Sequence, residues 1–447
     1  MFSWIDLVTH PLLIASTLAT LFMSIACAML GGLLFVKKSS LLGETLSHAA
    51  YPGVVLGLIV SLVLGLEATN AQFICMLLIG TAFVFLGDRL VKKIEKSPLY
   101  FSDMALSVVL ALFFSLGVLL SSIVQYKWPS HFSAVPMFLF GQLATLTDLH
   151  AMVAALFLVV TLIWLVFNYR QIELVLFDRA FASNMGISSR KFEMVLTLLI
   201  SLSIVIGVRS LGIVLISGML IAPAIGARIL SKKLGIFIAW CAVLALLSTL
   251  IGIYYALNLP TMIGGSFARV SLPTGPIVLL SSSLLSCICL IAAPNRGLVG
   301  RLWRGAVFNW KCGEENVLKT VWKAEKQDSW SFSSLRKKIA ISSLHLMAFL
   351  ISLRVKRKIT FSLFGGLTLT KLGAQQALNI VRVHRLWELY LFSCLGVGED
   401  KVHGIAEQVE HVSIGELEKK LTLILKNPLK DPHDQPIPCA EVLDESL

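Results

Sequence analysis

Met104–Val124 reads MALSVVLALFFSLGVLLSSIV, a stretch without one charged side chain. A helix needs about 20 such residues to cross the hydrocarbon core of a bilayer, and shorter apolar runs suit buried helices of soluble proteins. Comparable stretches lie on either side, at Leu12–Val36, Ser47–Leu66, Ala71–Val91, Met152–Phe167, Met194–Val208, Gly212–Arg228, Leu234–Leu257 and Pro273–Ala293. Together they predict an all-α polytopic membrane domain of about nine transmembrane helices. Composition agrees, with 56% hydrophobic and 14% charged residues among 447, where soluble chains carry about 25% charged. A soluble globule, a disordered chain and a collagenous fibre are excluded. The eight cysteines include no CxxC pair, so neither a zinc ribbon nor a disulfide framework is indicated. Met1–Thr9 holds Asp6 and no Lys or Arg, which argues against a cleaved secretory leader.

Charge asymmetry orients the spans. With an odd number of crossings, Lys37/Lys38, Arg89/Lys92/Lys93/Lys96, Arg170/Arg179/Arg190/Lys191 and Lys232/Lys233 share one side. The other side has little beyond Lys127, Arg209 and Arg269. The basic side is cytoplasmic by the positive-inside rule, so the N-terminus is outside and the chain beyond Arg296 is cytoplasmic. Composition changes near Pro294. The longest apolar piece after it, Leu344–Leu353, is too short to span. The expected divisions are a membrane domain (1–295), a basic linker poor in regular structure (296–312), and a cytoplasmic part with segments 313–373 and 374–438 and a tail (439–447).

Ionisable groups inside spans are costly and mark pathways. Within Leu41–Gly53, LLGETLSHAAYPG, Glu44 and His48 stand at i,i+4 on one helical face, a way to present two ligands to a divalent cation. A plain Glu–His hydrogen bond near Lys38 is the alternative. Pro52-Gly53 is expected to kink that helix. Phe177–Ile187 reads as a short amphipathic helix between spans, closed by Gly186. No GxxxxGK[ST] run occurs, so the chain is not expected to hydrolyse nucleotide or act as an enzyme and needs a separate energy source.

From Ser329 to Trp387 there is no acidic residue, while Arg336, Lys337, Lys338, Arg354, Lys356, Arg357, Lys358, Lys371, Arg382 and Arg385 fall in that window. Such a surface suits a polyanion, either DNA or anionic lipid. Ser333–Ala340 and Ser343–Leu353 read as helices about a turn at Ile341-Ser342, followed by Lys356–Thr370, two β-rich runs about Gly365-Gly366. This is the pattern of a winged helix-turn-helix. Ser342, Ser343, His345, Arg354, Lys356, Arg357 and Lys358 are then the DNA-contacting candidates. Further on, helix Ala374–Leu391 places His384 and Glu388 at i,i+4, and helix Asp400–His411 places His403, Glu407, Glu410 and His411 on one stripe. Imidazole and carboxylate without thiolate favour Mn²⁺ or Fe²⁺. A solvated charged face is the alternative.

The run Gly43–Gly53 resembles the GDxxSHAxLPG signature of the metal-ion ABC permeases that import manganese, zinc or iron. Gly218–Ala224, Asp178–Ile187 and Leu272–Pro276 are similar to that family's other landmarks and stand in family order. The resemblance implies an inner-membrane permease subunit that pairs with a second permease subunit, a cytoplasmic ATPase and an extracytoplasmic metal-binding protein. Asp178, Arg179, Phe181 and Gly186 fall on its coupling helix to the ATPase. Glu44 stands where the family usually has Asp.

Val381–Glu388, Val402–His411 (VHGIAEQVEH) and Pro432–Pro438 resemble the diphtheria-toxin-repressor family of iron- and manganese-dependent regulators. That implies a winged-helix reader of operator DNA with a helical domain that forms homodimers. It puts His384, Glu388, His403, Glu407, Glu410 and His411 on ligand positions for Fe²⁺ or Mn²⁺ as corepressor. Glu407 occupies a place that is Cys in iron-type members and Glu in manganese-type ones. Asn316 stands where the family supplies Met or Asp. The whole chain resembles the chlamydial permease–repressor fusions. The expected function is import of Fe²⁺ or Mn²⁺ past Glu44 and His48, joined to metal-dependent repression. Proteolytic release within Arg296–Glu315 is expected to free the repressor. The alternative is a cytoplasmic gate that senses metal and reads no DNA.

Overall fold

The computed structural model describes the chain except residues 1–2, 5, 12, 67–68, 97–100, 133, 142–145, 264–271, 294–295, 326–334, 337–338, 340, 362–366, 413–414 and 439–447. Arg269, the Gly365-Gly366 turn, most of the expected helix Ser333–Ala340 and the 439–447 tail lie outside the described residues. Two compact units form, Met1–Gly300 and Arg301–Leu447.

In the first unit, α1 (Asp6–Thr9) precedes α2 (Ile14–Val36), α3 (Ser40–Val63), α4 (Thr69–Glu95) and α5 (Ser102–Lys127). Then come α6 (Ala134–Phe140), α7 (Asp148–Phe167), α8 (Tyr169–Phe177) and α9 (Arg179–Asn184). The unit ends with α10 (Ser189–Leu211), α11 (Ile213–Leu230), α12 (Leu234–Ile263) and α13 (Thr274–Ala292). Eight described helices are long and apolar enough to span a membrane: α2, α3, α4, α5, α7, α10, α12 and α13. They answer to eight of the about nine expected spans. The seventh expected span is α11, apolar but shorter, and set off from α10 by Gly212 at φ +84°. Most of α11 is buried, and a helix enclosed by protein need not match the full lipid thickness.

Burial sorts the spans. The most apolar windows of α2, α10 and α3 are 78%, 72% and 67% buried, against 28% for α5, α7 and α13. The first three form the interior, and the others turn residues such as Leu119, Leu156 and Leu284 outward. Lipid tails are as apolar as leucine, so close backbone approach binds such helices. At Gly31 of α2, a Cβ would lie 1.9 Å from the Leu220 carbonyl oxygen of α11. Pro52 does not end α3, which continues to Val63; helix-breaking residues are tolerated in membrane spans where neighbouring groups satisfy the backbone.

The second unit contains α14 (Leu298–Glu325, its first turn in the preceding unit), α15 (Ser343–Val355), β1 (Ile359–Phe361), β2 (Leu367–Leu369), α16 (Lys371–Ser393), α17 (Glu399–Val409) and α18 (Glu416–Ile424). The expected linker poor in regular structure is thus corrected, because α14 runs through 298–312. Val299, Leu302, Trp303, Ala306, Val307 and Trp310 recur at helical spacing there, with no proline to stop the turn sequence. Val317, Leu318, Val321, Leu346, Phe349, Leu353, Ile359 and Ala377 form one core. β1 and β2 pair antiparallel, with Thr360 opposite Thr368. Helix, hairpin and core match the expected winged-helix layout. Leu386, Leu421 and Ile437 form a smaller core behind α16.

Candidate metal centre

α16 begins at Thr370, whose hydroxyl accepts from the Gly373 amide. Its apolar positions Ala377, Ile380, Val381 and Leu386 are buried, which fixes the rotation of the helix and sets His384 and Glu388 one turn apart on the side facing α17. Both are almost wholly buried. Val402 and Ala406 anchor α17 in the same way and bring His403 over them. Glu388 Oε1 accepts from His403 Nδ1 at 2.7 Å and lies 3.1 Å from His384 Nε2. The two imidazoles are 3.1 Å apart, Nε2 to Nδ1. One ligand atom each from His384, Glu388 and His403 fall within 4.8 Å of one another. They line a cavity of about 430 Å³ shared with Asp431 and His433. Two imidazole nitrogens and a carboxylate oxygen, with room for further donors, fit a divalent first-row ion.

Electrostatics prepares this site. Burial pushes the Glu388 carboxyl up, but hydrogen bonds from His384 and His403 outweigh it and hold it at about 2. Burial pushes the His384 imidazolium down, yet Glu388 and Glu410 together raise it above its ordinary value. His384 Nδ1 donates to Glu410 Oε2 at 2.5 Å. That bond fixes the tautomer and leaves Nε2 for the cavity, the usual way a carboxylate orients a metal-binding histidine.

The four ligands expected on the second stripe, His403, Glu407, Glu410 and His411, do not meet one site. Glu410 and His411 follow the end of α17 and turn toward α14. The Lys319 ammonium donates to both Glu410 oxygens, at 2.7 and 2.9 Å. His411 Nδ1 donates to Glu315 Oε2 at 2.7 Å, and His411 Nε2 lies 3.1 Å from Asn316 Oδ1. Glu407 is exposed, outside both groups, with the charge of Lys323 in its field. Sequence reasoning missed Glu315 and Lys319. The available signal was that Glu314 and Glu315 are the first acidic residues after Glu193.

Among the other candidates, Glu44 and His48 lie on α3, both partly buried. His48 Nδ1 is buried with no hydrogen-bond partner among the described residues, and the ring meets the Phe114 ring edge-on at 5.2 Å. Asp178 Oδ1 accepts from the Phe181 amide and caps α9, Gly186 follows it at φ +78°, and the Phe181 ring is half exposed. Arg179 and Lys37 both meet Glu193, at 2.8 and 3.2 Å, which puts these two basic loops on one side.

Ser342 caps α15, accepting from the His345 amide, and Ser342, Ser343, His345, Arg354 and Arg357 are exposed. Lys358 is half-buried. Lys356 is bound to Glu314 at 2.6 and 2.7 Å. Arg382 pairs with Glu418 and Arg385 with Asp431. Three cations of the expected polyanion surface are thus paired with carboxylates, Lys356 while remaining exposed.

Residues 9–292 match the family model of the ABC 3 transport family, and residues 370–439 match that of the iron dependent repressor, metal binding and dimerisation domain. A probable metal transport system membrane protein of Chlamydia trachomatis is 33% identical, over 95% of this chain and 96% of the relative. The manganese transport system membrane protein MntC of Bacillus subtilis is 29% identical, over 87% of this chain and 86% of its own. In structure, PsaBC from Streptococcus pneumoniae, solved in complex with Fab, matches 66% of this chain and 96% of its own with TM-score 0.55 at 22% identity, a likeness of fold. The chain belongs to the ABC 3 transport family of membrane permeases and carries a repressor-type metal-binding and dimerisation domain at its C-terminal end.

Proposed function

We propose that the membrane half imports a divalent transition metal, Mn²⁺ or Fe²⁺, past Glu44 and His48, and that the C-terminal half binds the same ion as a metal-dependent repressor. The observation that carries this reading is the His384–Glu388–His403 group, a nitrogen- and oxygen-donor site in the same chain as the permease. The relatives named for manganese and metal transport support the choice of ion. A separate ATPase docks on α9 through Phe181, an extracytoplasmic binding protein delivers the ion, and a second permease subunit completes the pathway in the inner membrane. The C-terminal half lies in the cytoplasm, dimerises through the domain that begins near α16, and reads operator DNA with α15 and the β1–β2 wing. Release from the membrane between Arg296 and Glu315 requires α14 to unwind wherever the cut falls beyond Leu298, since peptide bonds in a formed helix are poor protease substrates.

Linkage describes the sensing. An ion that binds the DNA-competent form more tightly raises its population by that differential affinity. A gel shift with the full chain in detergent and its own promoter tests this: binding should require Mn²⁺ or Fe²⁺ and weaken steeply with salt. A second reading has an observation of its own. Leu344, Met347 and Ile351 stand exposed along α15, an apolar stripe that suits a protein surface better than a DNA groove. In that reading the domain gates transport, and metal alters uptake while no promoter is bound.

A further inference from the structure

Beyond the His384 site lies a second set of ligand-type groups, and a lysine sits among them. Glu410 Oε1 is 3.6 Å from His411 Nε2, which is 3.1 Å from Asn316 Oδ1. Glu315 holds His411 by the other ring nitrogen, the same orienting role that Glu410 has for His384. These donors match those a divalent ion takes. The Lys319 ammonium, 7% exposed, is bound to both oxygens of Glu410, itself fully buried, and lies 3.3 Å from His384 Nδ1.

We propose that Lys319 is a tethered cation filling the second metal position, so that the C-terminal domain takes one transition ion per chain, at His384, Glu388 and His403. The inference rests on the reading of that group as a metal site. Charge supports it. Glu410 is a buried carboxylate, which requires a cation or a proton, and Lys319 supplies the cation permanently. A divalent ion arriving there meets a fixed positive charge already in contact with its strongest ligand. The consequence is mechanical. Lys319 comes from α14 and Glu410 from the end of α17, so these elements are tied together before any ion binds. In a domain with an ion at this position, that tie would form only on loading.

The test is metal stoichiometry of the full chain in detergent, by equilibrium dialysis against Mn²⁺ and elemental analysis, the permease half being common to every variant. Lys319→Met should bind one more Mn²⁺ per chain than the unmodified protein, and adding His411→Ala should remove the gain. No gain in Lys319→Met overturns the proposal. Glu388→Gln separates the two readings: it should lose one ion whether Lys319 is present or not, and no loss would remove the first site, whatever Lys319 does. Should Lys319→Met fail to fold, hydrogen exchange of the unmodified chain decides. Amides of 316–323 should exchange within about twofold of the same rate with and without Mn²⁺, and slowing of about tenfold on adding Mn²⁺ contradicts the tie.

Discussion

In the proposed metal site, a proton and a metal ion compete for the lone pair of His384 Nε2. Glu388 and Glu410 raise the imidazolium above its ordinary value, so the proton persists to higher pH. The apparent Mn²⁺ affinity should therefore keep rising with pH above about 6.5. Calorimetric titrations across that range check it, and a profile flat above the ordinary histidine value contradicts it. Linkage without metal gives the opposite slope: the raised imidazolium stabilises the fold below its ordinary value, and this is lost as pH rises through the raised value. Glu388, held at about 2, keeps its contribution above the ordinary carboxylate range and loses it as pH falls toward that value. His403 is exposed, so His403→Ala should leave the fold intact while weakening Mn²⁺ binding by about 10–100-fold, measured by the same titration. The i,i+4 placement of His384 and Glu388 was legible because both lie within one regular helix. The parting of Glu410 and His411 from His403 was not, because it depends on α14, some 90 residues earlier, where Glu315 and Lys319 wait.

Among elements, α14 departs furthest from expectation. A basic run with tryptophans and three glycines reads as a tether until its apolar positions are counted at helical spacing. Residues 301–310 of this helix are all exposed, so its regularity comes from local turns and the anchored stretch Val317–Val321 rather than from enclosure. Val307→Pro should break it at a cost of about 3 kcal/mol. Trypsin cleavage at Arg301 and Arg304 should then quicken about tenfold, and unchanged cleavage would mean that the helix is not what protects these bonds. α9 makes the converse case. The short helix expected within Phe177–Ile187 forms with Gly186 at its end because that signal is local; the Asp178 cap, equally local, was not read. Phe181→Ala should lower ATP-driven uptake about tenfold without lowering expression, as removal of an exposed aromatic anchor does; uptake at the unmodified level would place ATPase docking elsewhere. The α10–α11 junction was half legible. Arg209 and Gly212 mark a break, but that α11 is an enclosed short helix follows only from its neighbours.

Across the whole molecule, two compact units share one chain. Most spans of the first are legible from hydropathy, because lipid imposes a length and a composition on the helices it surrounds; the enclosed α11 is the exception. The second is compact through a modest apolar core and many ion pairs, which sequence spacing does not assign to partners. The chain is proposed to move an ion with one unit and bind it with the other, so the two activities should separate by mutation. Glu44→Ala or His48→Ala should abolish Mn²⁺ uptake in cells supplied with the ATPase and binding protein, while C-terminal metal binding persists. His403→Ala should do the reverse. Loss of uptake in His403→Ala would favour the gating reading. The most direct test is an electron paramagnetic resonance titration of Mn²⁺ into the full chain beside its Glu388→Gln, His403→Ala double variant. The account predicts one tightly bound ion per chain that the double variant lacks; identical binding by the two proteins would contradict it.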